Sequence, residues 1–263
     1  MPEHGITYFM KRRVLIIGIG AGNPDHITVQ AVNALNKASV FFVPSKGAEK
    51  SDLAALRRKI IERFVEGADY RIVGFDNPVR DSSIESYRSG VADWHDAVGR
   101  VYEQLIVGEL GEAECGAFLA WGDPSLYDSI LRILESIRAK GRLDLEYEVI
   151  PGISSVQALA AAHKIPINRI GESIVITTGR KLAEGFPDNA DSVVVMLDGQ
   201  AAFKTVEEDV EIYWGAYVGT EDEILVSGRL RDVLEEIGRV RQEARARKGW
   251  IMDTYLLRKP ERR

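Results

Sequence analysis

The sequence predicts an α/β fold of two α/β domains, the first with a mainly parallel sheet and the second with a mixed sheet. Three observations predict it. Short apolar runs alternate with helix-period segments through the first half of the chain. Three of those runs end in glycine-bearing loops, Gly18-Ile19-Gly20-Ala21-Gly22-Asn23-Pro24-Asp25, Trp121-Gly122-Asp123-Pro124 and Pro151-Gly152-Ile153-Ser154-Ser155. After about residue 165 the strand-like runs crowd together. Placing the boundary near residues 151–165 gives domains 12–152 and 153–263, with no low-complexity linker between them.

The elements follow in order. Val14-Leu15-Ile16-Ile17 is a continuous apolar run ending at glycines, as a strand buried on both faces would be. Asp25 is the expected cap of the next helix, which buries Ile27, Ala31, Val32 and Leu35 at helical spacing. Val40-Phe41-Phe42-Val43 is a second strand, stopped by Pro44, and Leu53 to Phe64 reads as a helix. Tyr70 to Val73 is a third strand, followed by a polar loop from Asp76 to Ser83 and a long amphipathic helix from Ile84 to Leu110. Ala117 to Ala120 is the fourth strand, Leu126 to Ile137 the helix after it, and Tyr147 to Ile150 a fifth strand stopped by Pro151. Beyond them, Ile174 to Thr177, Val193 to Met196, Ile212 to Trp214 with Ala216 to Val218, and Ile224 to Val226 are strand-like. Asp232 to Arg247 reads as a helix and Trp250 to Leu257 as a last strand.

Composition excludes several classes. The net charge of −6, from 34 Lys+Arg against 40 Asp+Glu, argues against a non-specific nucleic-acid binder. No apolar run approaches the roughly 20 residues that span a bilayer, and Met1 to Arg13 lacks a signal core, so no membrane partner is expected and the cytoplasm is the expected location. One cysteine, Cys115, makes no intrachain disulfide and fits a reducing compartment. The four histidines, His4, His26, His95 and His163, lack metal-ligand spacing, so no metal is expected.

Three strand-to-helix loops can line one nucleotide-like ligand at the carboxyl edge of a sheet. The first loop departs from a dinucleotide fingerprint, because its sixth position is Asn23 and strand two runs into Val43-Pro44-Ser45-Lys46 without an acid. No Gly-Lys-Ser/Thr phosphate loop occurs. Read singly, each loop is equally a tight turn that needs glycine for its backbone, and Asp123, fixed beside Pro124, is equally a helix cap.

Taken together the loops resemble the tetrapyrrole methylase family, the S-adenosylmethionine-dependent enzymes of corrin and sirohaem synthesis. That family opens with Gly-x-Gly-x-Gly-Asp-Pro, matched here by Gly18 to Pro24, with Ala21 where relatives carry proline and Asn23 where they carry Asp. The resemblance extends to Ile27-Thr28, Gly122-Asp123-Pro124 with Tyr127, Pro151 to Ser155, the methionine-bearing strand Val193 to Met196, and Gly219-Thr220 before Ile224. It spans about residues 13–257 and implies a cofactor, S-adenosylmethionine, lying between the two domains and leaving as S-adenosylhomocysteine. The cofactor residues it implies are Ala21, Trp121, Gly122, Asp123, Leu126, Ser154, Ser155, Met196 and Gly219, although Met196 also reads as plain core. It further implies a homodimer and a tetrapyrrole substrate.

Four segments are similar to one branch of that family: Phe75 to Asp81, Trp94-His95, Ile212 to Tyr217 and Lys248 to Tyr255. That likeness implies methylation of carbon 1 of precorrin-5 with release of its acetyl group as acetate. Hydrolytic loss of an acetyl group calls for a base and an oxyanion partner. The candidates are Asp123, Tyr127 and His95, with Asp76 and Arg80 beside them; His95 also reads as a packing residue and Asp76 and Arg80 as a solvated loop. A polycarboxylate macrocycle on an acidic protein needs local arginines, and Arg80, Arg88, Arg169 and Arg180 are the candidates, whereas Arg57-Arg58-Lys59 reads as a solvated helix face. Three readings stay open: this methyltransferase or a sibling acting on another carbon, a dinucleotide oxidoreductase, and a non-catalytic nucleotide-binding regulator.

Overall fold

The computed structural model describes residues 11–45, 51–78, 87–207 and 209–260, with side chains described for all of these but 51, 52 and 87–92. Lys46, Arg80 and Asp81 lie outside the described residues, as do Ser83 and Ile84, and the Arg88 side chain lies outside the described side chains. The chain divides into two compact units: Met1–Gly20 with Pro24–Gly152, and Ala21–Asn23 with Ile153–Arg263.

The first unit holds five parallel strands, β1 (Lys11–Gly18), β2 (Val40–Pro44), β3 (Arg71–Phe75), β4 (Cys115–Ala120) and β5 (Asp144–Ile150), in the order β3-β2-β4-β1-β5. The apolar runs bury both faces of the sheet. Leu15, Ile17 and Phe41 pack on helices α1 (Val29–Leu35) and α2 (Ser51–Phe64). Val14, Ile16, Phe42 and Phe118 pack on α3 (Tyr87–Glu109) and α4 (Ile130–Ala139). The helix after β1 therefore lies on one face and the helix after β4 on the other. Adjacent strands whose connections leave in opposite directions open a crevice at their carboxyl ends, where α/β proteins bind ligands.

The local chemistry corrects three expectations in this unit. Asp25 does not cap α1: it lies in the short 3-10 turn Pro24–His26, and the Thr28 hydroxyl accepts the Ala31 N–H at 3.0 Å instead. Of that helix, Ala31, Ala34 and Leu35 are buried while Val32 is only half-buried. The helix expected from Leu126 begins at Ile130, because Tyr127 takes a left-handed backbone (φ 54°) that breaks the helical run and Asp128 accepts the Ile130 N–H at 2.7 Å. Arg57 is buried at 7% exposure, unlike its exposed neighbours Arg58 and Lys59, because it turns inward from α2.

The second unit is a mixed sheet in the order β6-β7-β10-β8-β9, built from β6 (Ile174–Thr178), β7 (Ser192–Met196), β8 (Glu211–Ala216), β9 (Ile224–Arg229) and β10 (Asp253–Arg258). The β6–β7 pair is parallel and the other pairs are antiparallel. Helices α5 (Ser155–His163), α6 (Gly179–Leu182) and α7 (Leu230–Lys248) pack against it. The strand expected from Trp250 begins only at Asp253, since the Trp250 carbonyl accepts the Tyr217 hydroxyl and the Met252 carbonyl accepts the Tyr217 N–H. The core contains a polar network: the Tyr255 hydroxyl and the Ala202 N–H donate to buried Asp198, and Arg241 pairs with buried Asp253 at 2.8 Å.

Candidate active site

The parts of the three glycine loops that belong to the first unit, around Gly18–Gly20, Gly122 and Gly152, meet at the carboxyl ends of neighbouring strands. Gly20 and Gly122 exchange backbone hydrogen bonds, at 3.3 and 2.8 Å, in an isolated antiparallel bridge. The Ile19 N–H donates to the Ala120 carbonyl at 3.0 Å. A Cβ on Gly18 would lie 2.6 Å from the Gly152 nitrogen and 2.9 Å from the Gly122 oxygen, and one on Gly152 would run into that same oxygen. These glycines are thus required by the close approach of three backbones.

Asp123 ties the second loop to the third. Its Oδ2 accepts the Gly152 N–H at 2.9 Å, and its Oδ1 accepts the Ser125 N–H at 2.8 Å and the Ser125 hydroxyl. Burial raises the carboxyl pKa, but the Ser125 hydroxyl and the Gly152 and Ser125 N–H groups outweigh it and hold it below the usual carboxylate range. The expected helix-capping role is replaced by a role at the turn. Tyr127, next along, is 44% exposed, and burial of its remaining surface pushes its hydroxyl upward. His95 reaches this loop from α3, its Nε2 lying 3.0 Å from the hydroxyl of Ser129, the residue before α4. Burial, followed by the Arg132 charge, pushes the His95 pKa below its ordinary value against the pull of Asp96. The imidazole is therefore held neutral at pH 7. Asp76 stands exposed just past the end of β3, on the same sheet edge.

Among the described residues, three buried polar atoms in loops at this edge have no hydrogen-bond partner: His26 Nδ1 after β1, Asn77 Oδ1 after β3 and Trp121 Nε1 after β4. Unpartnered buried groups of this kind are costly to leave unmade. A donor such as the Trp121 N–H fits a ligand that brings acceptors, as S-adenosylmethionine does with its carboxylate, ribose and adenine.

The second unit gathers its own expected residues at one end of its sheet. Ser154 caps α5, accepting the Val156 N–H at 3.2 Å while Gln157 accepts the Ser154 N–H. Ser155 Oγ lies 3.2 Å from the Thr254 hydroxyl at the start of β10. Met196 ends β7, half-buried, beside the antiparallel Val195–Tyr255 pair. Gly219 lies just beyond β8, with φ 82°, and its N–H donates to Glu223 at 2.7 Å. A Cβ on Gly22 would meet Thr220 Cγ2 at 2.6 Å, so Ala21–Asn23 pack against this turn. Arg180 follows β6 at the same end, as Thr178 pairs with Met196. Arg169 does not join them. It pairs at 2.6 Å with Asp191, which precedes β7, at the end opposite Met196. Sequence reasoning did not identify Ser129 and Thr254, since each depends on a partner distant in the chain.

Among the described residues no group of three or more His, Cys, Asp or Glu side chains is placed to hold a metal ion, and no helix is long and apolar enough to cross a membrane.

Comparison with known proteins bears on this geometry. The profile of the Tetrapyrrole (Corrin/Porphyrin) Methylases matches residues 13–234. The chain is 55% identical over 249 residues to the Precorrin-6A synthase (deacetylating) of Sinorhizobium sp, covering 94% of this chain and 95% of that protein. The crystal structure of a cobalamin synthesis related protein (CobF) from Corynebacterium diphtheriae superimposes with a TM-score of 0.81 at 39% identity, covering 96% of this chain and 100% of that one. A Uroporphyrin-III C-methyl transferase from Thermus thermophilus, complexed with S-adenosylhomocysteine, shares the fold alone. It has a TM-score of 0.56 at 17% identity and covers 93% of this chain and 96% of its own.

Proposed function

The chain belongs to the tetrapyrrole (corrin/porphyrin) methylases, and from that premise we propose that it is an S-adenosylmethionine-dependent C-methyltransferase of cobalamin biosynthesis. Its reaction would methylate precorrin-5 at carbon 1, with release of the acetyl group as acetate, to give precorrin-6A. The observation that carries this reading is the 55% identity to a deacetylating precorrin-6A synthase over nearly the whole of both chains.

The cofactor, when bound, supplies a methyl group on a positively charged sulfur that leaves as a neutral thioether. The protein's own work is then alignment and the exclusion of water from the transfer axis. Trp121, Gly122, Asp123 and Leu126 are proposed to hold the cofactor, as are Ala21, Ser154, Ser155, Met196 and Gly219. The interlocked glycine backbones keep the second loop in one shape, and the unpartnered Trp121 N–H supports a role for it in binding.

Deacetylation asks for more. Water adds to the acetyl carbonyl, the carbon–carbon bond to the ring breaks, and its electron pair is left on the carbon that takes the methyl group. His95, neutral at pH 7, is suited to accept the proton of that water, and Tyr127 to donate to the carbonyl oxygen. Asp123 has both oxygens occupied and a depressed pKa, so it is a weak base and is proposed to orient the loop. Arg180, with Arg80, is proposed to meet the substrate's carboxylates, and Asp76 its polar edge. A homodimer in the cytoplasm is proposed as the working state.

Calorimetric titration with S-adenosylhomocysteine should give a micromolar dissociation constant, on the order of −8 kcal/mol. Mass spectrometry of the product from precorrin-5 should show one methyl gained and one acetyl lost. A product that keeps its acetyl group would assign the chain to a sibling methylase, and binding of NADPH alone would replace the reading.

A further inference from the structure

Arg57 is a buried cation that the site described so far does not use. It leaves α2, where Arg58 and Lys59 stay in solvent, and lies at 7% exposure. Its Nε donates to the Leu119 carbonyl at 3.0 Å, and its Nη1 to the Leu53 carbonyl at 3.0 Å. The second bond stays within its own helix. The first crosses to β4.

The β2–β4 ladder explains why Leu119 needs that donor. The amides of a strand alternate between its two neighbours. On β2 the run is continued by Ser45, whose N–H goes to Phe75 on the β3 side, so position 44 faces β4. The paired residues are Val40 with Gly116, Phe41 with Ala117 and Phe42 with Phe118, and there the pairing stops. The next rung would carry an N–H from residue 44 to the Leu119 carbonyl. Residue 44 is proline and has no N–H. Leu119 is 2% exposed, so water does not supply the missing donor.

The position matters because Leu119 is followed at once by the second loop. On the β1 side that loop is held by the Ile19–Ala120 and Gly20–Gly122 hydrogen bonds. On the β2 side Arg57 supplies the hold. The far end of the same loop carries Asp128, which accepts the first N–H of α4. Asp128 is near enough to raise the Arg57 pKa against the lowering effect of burial, which comes first, as Tyr102 also does.

We propose that Arg57 is a positioning residue for the 121–129 loop: its guanidinium replaces the amide that Pro44 lacks and holds the loop at its entry. This rests on the methyltransferase reading only for what the loop binds. The tethering itself is independent of it.

The test uses the full chain with Arg57→Met, Pro44→Ala and the double variant, read by hydrogen exchange and by calorimetry with S-adenosylhomocysteine. Arg57→Met should speed exchange in the 119–129 peptide by about ten-fold or more, as expected for a lost hydrogen bond, and leave β1 unchanged. It should weaken S-adenosylhomocysteine binding. Pro44→Ala restores an N–H at the missing rung, so in the Arg57→Met background it should recover part of both losses, which a general packing role for Arg57 would not produce. Wild-type exchange in the 119–129 peptide of Arg57→Met overturns the proposal, and so does a double variant no better than the single one. If Arg57→Met does not fold, a folded double variant supports the proposal and an unfolded one overturns it. A wild-type chain that ignores S-adenosylhomocysteine removes the function proposed above, while the exchange result still judges Arg57.

Discussion

At Asp123 a carboxylate is kept charged by hydrogen bonds alone, from Gly152 on one oxygen and Ser125 on the other. An amide at this position keeps one acceptor but turns an NH₂ toward one of those N–H groups. Asp123→Asn should therefore cost ~1–3 kcal/mol, the range for a bond replaced by an unsatisfied donor. Chemical denaturation of the two proteins at pH 7 would measure it, and equal stability would mean that the turn adapts. The pH dependence has a definite sign. The folded pKa is depressed, so the stabilisation is present above the unfolded value of about 3.9 and is lost as pH falls through the folded one. Only the wild type should show this loss. His95 gives a kinetic counterpart. A base held neutral acts in its unprotonated form, so turnover should rise with pH through a midpoint below about 6.5 and then level off. His95→Gln should abolish that acidic limb, and an unchanged limb would remove His95 from the chemistry.

Among the elements, α5 shows how helix ends are specified. Its start has the reciprocal Ser154–Gln157 capping arrangement, and its end turns through Lys164 in the left-handed region (φ 58°). A side chain there is strained in a way glycine is not, so Lys164→Gly should raise stability by ~0.5–1 kcal/mol, while Lys164→Val should lower it. Thermal denaturation separates the two. The same contrast explains what was legible in the sequence. Strands β1, β2, β4 and β7 announced themselves because each is a run of apolar residues buried on both faces. The glycine loops were legible because each follows an apolar strand and opens a helix-like segment, although what requires Gly18, Gly122 and Gly152 is their mutual approach across the chain. The start of α4 was not, since nothing in Leu126-Tyr127-Asp128 says that Tyr127 turns left-handed. Arg57 was misread because its environment depends on Pro44 and Leu119, and the pairing of Arg169 was not visible because its partner Asp191 comes later in the chain. His95 could be singled out from its own sequence, but its partner Ser129 could not.

For the molecule as a whole, the two units are stabilised differently. The first relies on apolar packing on both faces of a parallel sheet. The second also buries an ion pair: Arg241 and Asp253 are 11% and 3% exposed and bonded at 2.8 Å, with the Trp214 indole donating to the same Asp253 oxygen. Burial pushes the Asp253 carboxyl pKa upward, against Arg241. Arg241→Met would leave a buried carboxylate without its cation, at a cost of about 3–5 kcal/mol. The loss should appear as early unfolding of the second unit, followed by hydrogen exchange across β8 and β10. Exchange that changes equally in both units would contradict a local role. The division of the chain has one further consequence. Ala21–Asn23 belong with the second unit although the residues on either side belong with the first, and Gly22 packs on Thr220. During synthesis on the ribosome, β1 and α1 emerge early, and Gly20 meets its bridge partner once Gly122 is made, but Gly22 has nothing to pack on until Thr220 follows. The first glycine loop is therefore finished in two stages, and its Ala21–Asn23 part is among the first stretches translated and among the last to be packed.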